Sequence, residues 1–275
     1  MSLTEPDFAF VRALVKRESA IVLGADKDYL VKARLTSLAR LEGFGSLERF
    51  MYEVKNSASE ELRFRVVEAL TTNETSFFRD QTPFDLLRDE LLPALVAARQ
   101  AERKLRIWSA GCSSGQELYS VAMLLHREFP KLENWDIELV GTDLNAEMVR
   151  RATSGVYNGL EVSRGLGASY KAYLCPRGRD FEVDPVLRRR VRFMQLNLIE
   201  AWPEALGSFD VILLRNVLIY FDVDSKAEVL SRIQQKLRTP GYLFLGGTET
   251  TLNVHSGFER VQTEHANCYR LREVT

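Results

Sequence analysis

The sequence predicts an α/β fold in which a doubly wound, Rossmann-like domain follows an all-α N-terminal subdomain. Before residue 73 apolar side chains recur only at helical spacing, whereas apolar strands and amphipathic helices alternate from residue 104 onward. Residues 107–120 have the pattern of a strand, a glycine turn and a helix, the unit that opens the ligand pocket of such domains. We therefore expect a helical subdomain over residues 1–72 and a ligand-binding domain over residues 73–275.

Composition and charge restrict the class of protein. The chain has 275 residues, of which 45% are hydrophobic and 27% charged, as in ordinary globular proteins with a sizeable core. A net charge of −1 does not favour nucleic acid as a partner. No apolar run reaches the roughly 20 residues that cross a bilayer, and the first residues lack the pattern of a secretion signal. We expect a cytoplasmic monomer that neither binds nucleic acid nor inserts into a membrane.

The cysteines and histidines do not suggest a disulfide framework or a metal centre. The three cysteines lie far apart and form no Cys-x-x-Cys pair, which indicates reduced thiols. The three histidines, His126, His255 and His265, lack the spacing of metal ligands. We therefore expect no metal site.

Four helices are predicted before residue 73, since apolar residues recur there every three or four positions. In the second, Leu41 continues this spacing and the helix should end at Gly43. Ser46 is the expected cap of the third helix, and Ser57 with Glu60 has the capping-box pattern for the fourth. The first two helices also carry six basic residues: Arg12, Lys16, Arg17, Lys32, Arg34 and Arg40. These form either a solvated face or a docking face for an acidic partner helix, and the sequence leaves both interpretations open.

A polar segment over residues 73–80 contains two adjacent aromatic residues, Phe77 and Phe78, followed by Arg79. A plain linker would not expose two aromatic rings to water. We expect the rings to join the helical subdomain to the main domain and to hold Arg79 near the junction, where pockets are common.

From residue 104 onward the pattern is that of alternating strands and helices. After the opening unit we expect strands over residues 137–142, 191–195, 209–214, 242–245 and 268–271, the last as the closing edge strand. Helices are expected over residues 144–152 and 225–237. Residues 156–190 are too long for a simple connection and too aromatic for disorder. They predict an inserted subdomain with a short antiparallel sheet.

The glycine turn distinguishes between two classes of ligand. Dinucleotide sites use Gly-x-Gly-x-x-Gly so that backbone amides can approach a pyrophosphate, whereas this turn has glycine only at Gly111 and Gly115. Glu117, in the first turn of the helix, would repel a phosphate but suits the ammonium and sulfonium charges of S-adenosylmethionine; favourable interaction with the helix dipole is its alternative role. Asp143, at the end of the next strand, suits ribose hydroxyls. The sequence therefore favours S-adenosylmethionine.

Polar residues also follow the apolar strand 209–214. Arg215, Asn216 and Tyr220 lie where open α/β sheets bind ligands. Methyltransferases that act on adenine amino groups carry Asn/Asp-Pro-Pro-aromatic at this place, and this chain does not, which argues against a base-flipping enzyme of that kind.

Four motifs together resemble one family. They are Asn73-Glu-Thr-Ser-Phe-Phe-Arg79, Trp108-Ser-Ala-Gly-Cys-Ser-Ser-Gly-Gln-Glu-Leu-Tyr-Ser120, Gly141-Thr-Asp143 and Arg215-Asn-Val-Leu-Ile-Tyr-Phe-Asp222. In this order they resemble the CheR family, the chemoreceptor glutamate O-methyltransferases of bacterial chemotaxis, over nearly the whole chain. The family's Gly-Glu-Glu-Pro-Tyr-Ser appears here as Gly115-Gln-Glu-Leu-Tyr-Ser120, so the resemblance assigns the cofactor contact to Glu117.

The resemblance implies a set of site residues. Those expected to bind the cofactor are Asn73, Thr75, Arg79, Glu117, Asp143, Asn197, Leu198, Arg215 and Asn216. Arg79 and Tyr220 are the expected catalytic residues. It also implies methyl transfer from S-adenosylmethionine to glutamate carboxylates in the cytoplasmic helical region of transmembrane chemoreceptors, with S-adenosylhomocysteine as product. Two alternatives remain open on the sequence: a methyltransferase of a small molecule or RNA, and a cofactor-binding signalling module without catalysis.

Overall fold

The computed structural model of the chain describes residues 3–56, 58–263 and 266–272. The chain divides into two compact units. The first comprises Met1–Thr72 together with Tyr220–Ser225, and the second comprises Asn73–Ile219 and Lys226–Thr275.

The first unit is helical. Its helices are α1 (Glu5–Ser19), α2 (Asp28–Leu41), α3 (Leu47–Asn56) and α4 (Glu60–Leu70). A capping box between Thr4 and Asp7 begins α1, and the amide of Arg49 donates to the Ser46 hydroxyl at the start of α3, as its sequence predicts. The predicted cap Ser57 lies outside the described residues; Ser59 is the N-cap of α4.

Two details of the first unit differ from expectation or were not expected. Leu41, which continues the apolar spacing of α2, is 80% exposed, because α2 ends at this residue. Residues 220–225 belong to this unit because they pair with the chain after α1. Ile21 and Phe221 form an antiparallel bridge, and the Lys16 ammonium contacts the Asp222 carboxylate at 2.9 Å.

The second unit is built on a sheet whose order places the ligand crevice. The strands along the chain are β1 (Lys104–Ala110), β2 (Asp136–Asp143), β3 (Val156–Asn158), β4 (Leu174–Arg177), β5 (Asp180–Val183), β6 (Val191–Gln195), β7 (Phe209–Leu214), β8 (Leu237–Leu245), β9 (Phe258–Arg260) and β10 (Cys268–Leu271). Seven of them form one sheet in the order β6-β2-β1-β7-β8-β10-β9, parallel from β6 to β8. The predicted doubly wound α/β fold is therefore confirmed. The prediction that β10 is the edge strand is wrong, because β9 pairs with its outer side.

The helices of this part of the chain follow the strands as expected. They are α5 (Thr82–Leu86), α6 (Leu92–Ala98), α7 (Gln116–Glu128), α8 (Ala146–Ser154), α9 (Gly159–Ser163), α10 (Pro185–Arg188) and α11 (Val223–Lys236). A π-helical turn over Leu87–Leu91 joins α5 to α6. Helix α7 packs on β1, β2 and β6, and α8 packs on β2 and β6. All six residues of β7 are buried, as a central strand covered on both faces requires.

The insertion predicted over residues 156–190 forms a three-stranded antiparallel sheet in the order β3-β5-β4. Its aromatic residues pack against the segment that carries Phe77 and Phe78. The Phe77 ring meets Tyr157 edge-on at 5.1 Å between centroids, and the Phe78 ring stacks on Tyr170 at 4.4 Å. We expected both rings to join the two units, but their described contacts lie in the core of the second unit. Aromatic residues of the insertion therefore help to bury both rings.

None of the helices in the described ranges combines the length and the apolar character needed to cross a membrane. Over the same ranges, no cluster of three or more His, Cys, Asp or Glu residues is arranged to hold a metal ion.

Candidate functional site

The candidate site lies at the carboxyl ends of the parallel strands. Strands β1 and β7 are neighbours in the sheet, yet the chain leaves β1 toward β2 on one side and β7 toward β8 on the other. A crevice opens at such a switch point, outside the strand ends. Four loops begin there: the glycine turn after β1, the segment after Asp143, the segment after Leu214 and the segment after Leu245.

The glycine turn requires its glycines for two physical reasons. Gly111 and Gly115 have φ angles of +78° and +92°, in the left-handed region that L side chains avoid. A Cβ on Gly111 would lie 2.5 Å from the Val217 side chain, and one on Gly115 would lie 2.8 Å from Ala152. The turn thus keeps its backbone close to the segment after β7 and to helix α8.

Asp143 fixes the turn from the neighbouring strand. Its Oδ2 accepts a hydrogen bond from the Ser113 amide at 2.7 Å, and its Oδ1 accepts one from the Asn145 amide at 2.9 Å. The residue is 8% exposed. Each carboxylate oxygen can accept a second hydrogen bond, so the predicted role toward ribose hydroxyls is compatible with this geometry and stays a prediction.

Glu117 and Arg215 form a buried ion pair that the sequence did not predict. Arg215 Nη1 lies 2.8 Å from Glu117 Oε2, and the Ser109 hydroxyl donates to Glu117 Oε1 at 2.8 Å. The Arg215 side chain is 2% exposed and the Glu117 side chain 12% exposed. The sequence suggested contact of this carboxylate with a cationic cofactor or with the helix dipole. The structure adds Arg215 as a third partner, which explains why an arginine follows five apolar residues of β7.

Arg215 also reaches the segment that carries Arg79. Its Nη2 donates to the Arg79 carbonyl at 2.9 Å and to the Asp80 carboxylate at 2.8 Å. The network therefore ties the loop after β7, the first turn of α7 and the 73–80 segment together. Asp80 was missed by the sequence reasoning, although an acid directly after the motif was its visible signal.

The backbone around Arg79 is strained. Phe78, Asp80 and Gln81 have φ angles of +47°, +62° and +31°, and such conformations persist only where surrounding structure determines them. The Phe78 amide is held by the Ser120 hydroxyl at 2.9 Å. The Arg79 guanidinium donates to the Glu74 carbonyl at 3.0 Å and forms no ion pair with any described carboxylate. Its positive charge is therefore not neutralised within the described chain.

The other residues of the first motif border the glycine turn. The Ser113 hydroxyl donates to the Asn73 carbonyl at 2.8 Å, which attaches the start of the motif to the turn. Thr75 is half-buried on the same segment. Asn197 and Leu198 follow β6 at the same edge of the sheet. There Asn197 Oδ1 caps the chain by accepting from the Ile199 amide, and Leu198 is buried.

Asn216 and Tyr220 follow Arg215 in the sequence but differ in placement. Asn216 has a φ of +59°, and its side-chain Oδ1 is buried without a hydrogen-bond partner among the described residues. Tyr220 belongs to the first unit, where its carbonyl accepts from the Val22 amide at 2.8 Å. Asn73, Thr75, Arg79, Glu117, Asp143, Arg215 and Asn216 thus lie on segments at one sheet edge. Their cofactor-binding roles and the catalytic roles of Arg79 and Tyr220 stay predictions.

The thiol of Cys112 lies in the turn but is unsuited to nucleophilic chemistry. Burial raises its pKa well above the ordinary value, and the carboxylates of Asp143 and Glu117 act in the same direction. The thiol therefore stays protonated at neutral pH. Gln116, which replaces the acid of the resembled motif, is also buried and accepts from the Ser114 hydroxyl at 2.9 Å.

The polar side chains of the crevice fit S-adenosylmethionine. The buried, unpartnered Asn216 Oδ1 and the carboxylates of Glu117 and Asp143 are acceptors, which suit an ammonium group and ribose hydroxyls. Arg215 is neutralised by Glu117 and Asp80 rather than left for a phosphate. A ligand rich in hydrogen-bond donors matches these groups.

Comparison with known proteins agrees with this geometry. Residues 73–267 match the family model described as "CheR methyltransferase, SAM binding domain", and residues 6–71 match "CheR methyltransferase, all-alpha domain". The chain belongs to the CheR methyltransferase family. The predicted S-adenosylmethionine cofactor is thereby confirmed.

Curated members of the CheR family match almost end to end. Chemotaxis protein methyltransferase 1 of Pseudomonas aeruginosa is 39% identical over 99% of this chain and 100% of its own length. Chemotaxis protein methyltransferase Cher2 of Pseudomonas putida is 36% identical over the same shares. Chemotaxis protein methyltransferase 1 of Vibrio cholerae is 34% identical over 99% of both chains.

Within this CheR chain, sequence reasoning missed one further acid at the sheet edge. Glu249, only 6% exposed, follows β8 and accepts hydrogen bonds from the amides of Asn216, Gly246 and Ile219. Its signal in the sequence was a lone acid after an apolar strand and two glycines.

Proposed function

We propose that this protein transfers a methyl group from S-adenosylmethionine to glutamate side chains in the cytoplasmic helical region of bacterial chemoreceptors, forming glutamate methyl esters. Relatives named chemotaxis protein methyltransferase match nearly the whole chain. The observation that carries the carboxylate substrate is Arg79, a guanidinium without a described acidic partner on a strained loop beside the cofactor turn. A substrate carboxylate would supply the missing counter-charge.

The proposed chemistry needs no general base. A glutamate has an ordinary pKa of about 4.3, so at neutral pH it is already an anionic nucleophile. S-adenosylmethionine supplies an electrophilic methyl group: a carboxylate oxygen bonds to the methyl carbon while the carbon–sulfur bond breaks and its electron pair stays on sulfur. Arg79 orients and partly neutralises the substrate carboxylate, and Tyr220 is proposed as the second positioning group by family resemblance. Such alignment can lower the barrier by roughly 7–11 kcal/mol.

The structure restricts the basic surface that would meet the receptor. Arg12 pairs with Glu5 and Asp28, Lys16 with Asp222 and Arg17 with Glu18. Arg34 donates to the Ala69 and Thr71 carbonyls. These four side chains therefore have partners within the first unit.

Lys32 and Arg40 remain exposed on α2 without a described acidic partner, and exposed Tyr29 lies on the same side of the helix by its spacing. We propose this face of α2 as the receptor-docking surface. The protein would act in the cytoplasm as a monomer.

The test is methyl transfer with labelled S-adenosylmethionine to receptor-containing membranes or to RNA. Base-labile label on a receptor-sized protein is the expected result; label on RNA alone, or none, would contradict the proposal. Arg79→Ala should lower kcat/KM about 100-fold because the substrate carboxylate is misaligned. The same change should alter unfolding free energy by less than about 1 kcal/mol, since the side chain makes one hydrogen bond to a carbonyl. Arg79→Lys is the matched control that keeps the charge but loses the planar fork.

A further inference from the structure

We infer that Glu249 is a positioning residue for the cofactor pocket, acting through the backbone of the segment after β7. The inference rests on the proposed place of Asn216 in that pocket. Glu249 lies in the loop after β8, outside the four motifs.

Three backbone amides from two loops converge on this one carboxylate. Glu249 Oε2 accepts from the Asn216 amide at 2.8 Å and from the Gly246 amide at 2.6 Å. Glu249 Oε1 accepts from the Ile219 amide at 3.1 Å. Because the residue is only 6% exposed, water cannot readily replace these bonds. Hydrogen bonds to an ionised acceptor are roughly twice as strong as neutral ones, so the carboxylate holds both ends of the 216–219 segment.

The contact with Asn216 fixes an unfavourable conformation. Asn216 has a φ of +59°, and its side-chain Oδ1 is a buried acceptor without a described partner. A left-handed residue and an unsatisfied buried acceptor both cost free energy. They persist where surrounding contacts determine them, and the bond from the Asn216 amide to Glu249 is such a contact. The carboxylate therefore keeps the Asn216 side chain oriented for a donor brought by a ligand.

The loop that carries Glu249 is itself held rigidly. The Asn267 side-chain amide contacts three carbonyls of this loop, those of Gly246, Gly247 and Glu249, at 2.8, 3.1 and 2.9 Å. Gly246 packs closely against both side chains, since a Cβ there would lie 2.7 Å from both Asn216 Nδ2 and Glu249 Oε2. Asn267, directly before β10, thus holds the loop after β8. Glu249 in that loop in turn holds the segment after β7.

The chain offers a matched control at the opposite end of the same strand. Asp210, the second residue of β7, is fully buried and accepts from the Arg106 amide at 2.8 Å and from Arg99 Nε at 2.7 Å. Like Glu249 it is a buried carboxylate that accepts from backbone, but it lies at the amino end of the strand, away from the crevice. Loss of either acid should destabilise the fold, and only loss of Glu249 should disturb the cofactor pocket.

The experiment compares Glu249→Gln with Asp210→Asn in the full-length chain. S-adenosylhomocysteine affinity is measured by calorimetry, and hydrogen exchange of a peptide covering residues 214–221 is measured by mass spectrometry. Glu249→Gln replaces one acceptor oxygen by a donor that faces amides. We expect affinity to fall about tenfold or more, the size of one charge-assisted hydrogen bond, with faster exchange in this peptide. Asp210→Asn should lower the melting temperature and leave the affinity within twofold.

A second variant keeps the inference testable if either acid substitution folds poorly. Asn267→Ala retains the carboxylate and loosens its loop, so affinity should fall in the same direction by a smaller factor. Unchanged affinity and exchange in Glu249→Gln would overturn the inference, as would equal losses of affinity in both acid variants. Asn216→Ala tests the proposed place of Asn216 in the pocket separately from the role of Glu249. If this variant bound S-adenosylhomocysteine normally, Asn216 would not belong to the cofactor pocket, and the inference would fail with it. These binding measurements need no receptor. Their outcome therefore does not depend on whether the protein methylates receptors.

Discussion

Gly165→Ala should displace the segment that carries Arg79. Gly165 lies in the insertion with a φ of +82°, and a Cβ there would lie 1.9 Å from the Phe77 carbonyl oxygen. Since Cβ contacts under 3.0 Å essentially do not occur, the two segments must separate by about 1 Å. Phe77 is two residues before Arg79, on the strained part of the chain. The insertion therefore supports the geometry of the candidate site directly.

The loss of unfolding free energy expected for Gly165→Ala has two contributions. Left-handed backbone costs a non-glycine residue about 1–2 kcal/mol, and forcing an extra methyl group into a packed site costs about 1–3 kcal/mol more. Gly178→Ala is the matched control: Gly178 lies in the same insertion with a φ of +65°, and nothing lies within 4 Å of its added Cβ. It should carry the first cost alone. The difference between the variants, about 2 kcal/mol, isolates the contact with Phe77.

Urea unfolding and receptor methylation check this prediction together. Gly165→Ala should unfold at lower urea than Gly178→Ala and lose about 100-fold in kcat/KM, because a displacement of about 1 Å misaligns the reacting groups. Gly178→Ala should keep kcat/KM close to that of the unmodified chain. Equal stability and equal activity of the two variants would refute the argument that the insertion supports the 73–80 segment.

Two further predictions concern titratable groups. Burial raises the pKa of Asp7, but hydrogen bonds from Lys55 and Thr4 outweigh it and lower the pKa from 3.8 to about 2. Asp7→Asn should therefore destabilise the chain by about 1 kcal/mol at pH 7. Because the native pKa is depressed, this difference should persist down to about pH 4 and shrink as the pH falls toward 2, as followed by urea unfolding; a difference that grows on acidification would contradict it. Burial raises the pKa of Cys112, and that of Cys268 to about 12, while Cys175 is exposed, so a thiol reagent at pH 8 should modify Cys175 rapidly and the other two only after unfolding. Rapid labelling of more than one thiol in the native chain would show that Cys112 or Cys268 is accessible.

Much of the fold followed from local pattern. Strands over residues 191–195 and 209–214 were predicted with the bounds that the structure gives to β6 and β7. The turn after β1 was predictable because glycine is favoured at its two left-handed positions Gly111 and Gly115. The identity of β9 was not, because three residues paired at an edge leave no periodic signal. The exposure of Leu41 was not predictable, because helical spacing does not indicate where a helix loses its packing neighbour.

The candidate site divides in the same way. The sequence by itself determined that Arg79, Glu117, Asp143, Arg215 and Asn216 stand at the ends of strands or at motif positions, since chain order and apolar runs specify those places. Only the tertiary structure decided that Arg215 neutralises Glu117 and that Glu249 accepts from the amides around Asn216. These partners lie 98, 33 and 30 residues apart in the chain. Contacts at such separation depend on which strands become neighbours in the sheet, and sequence periodicity does not contain that information.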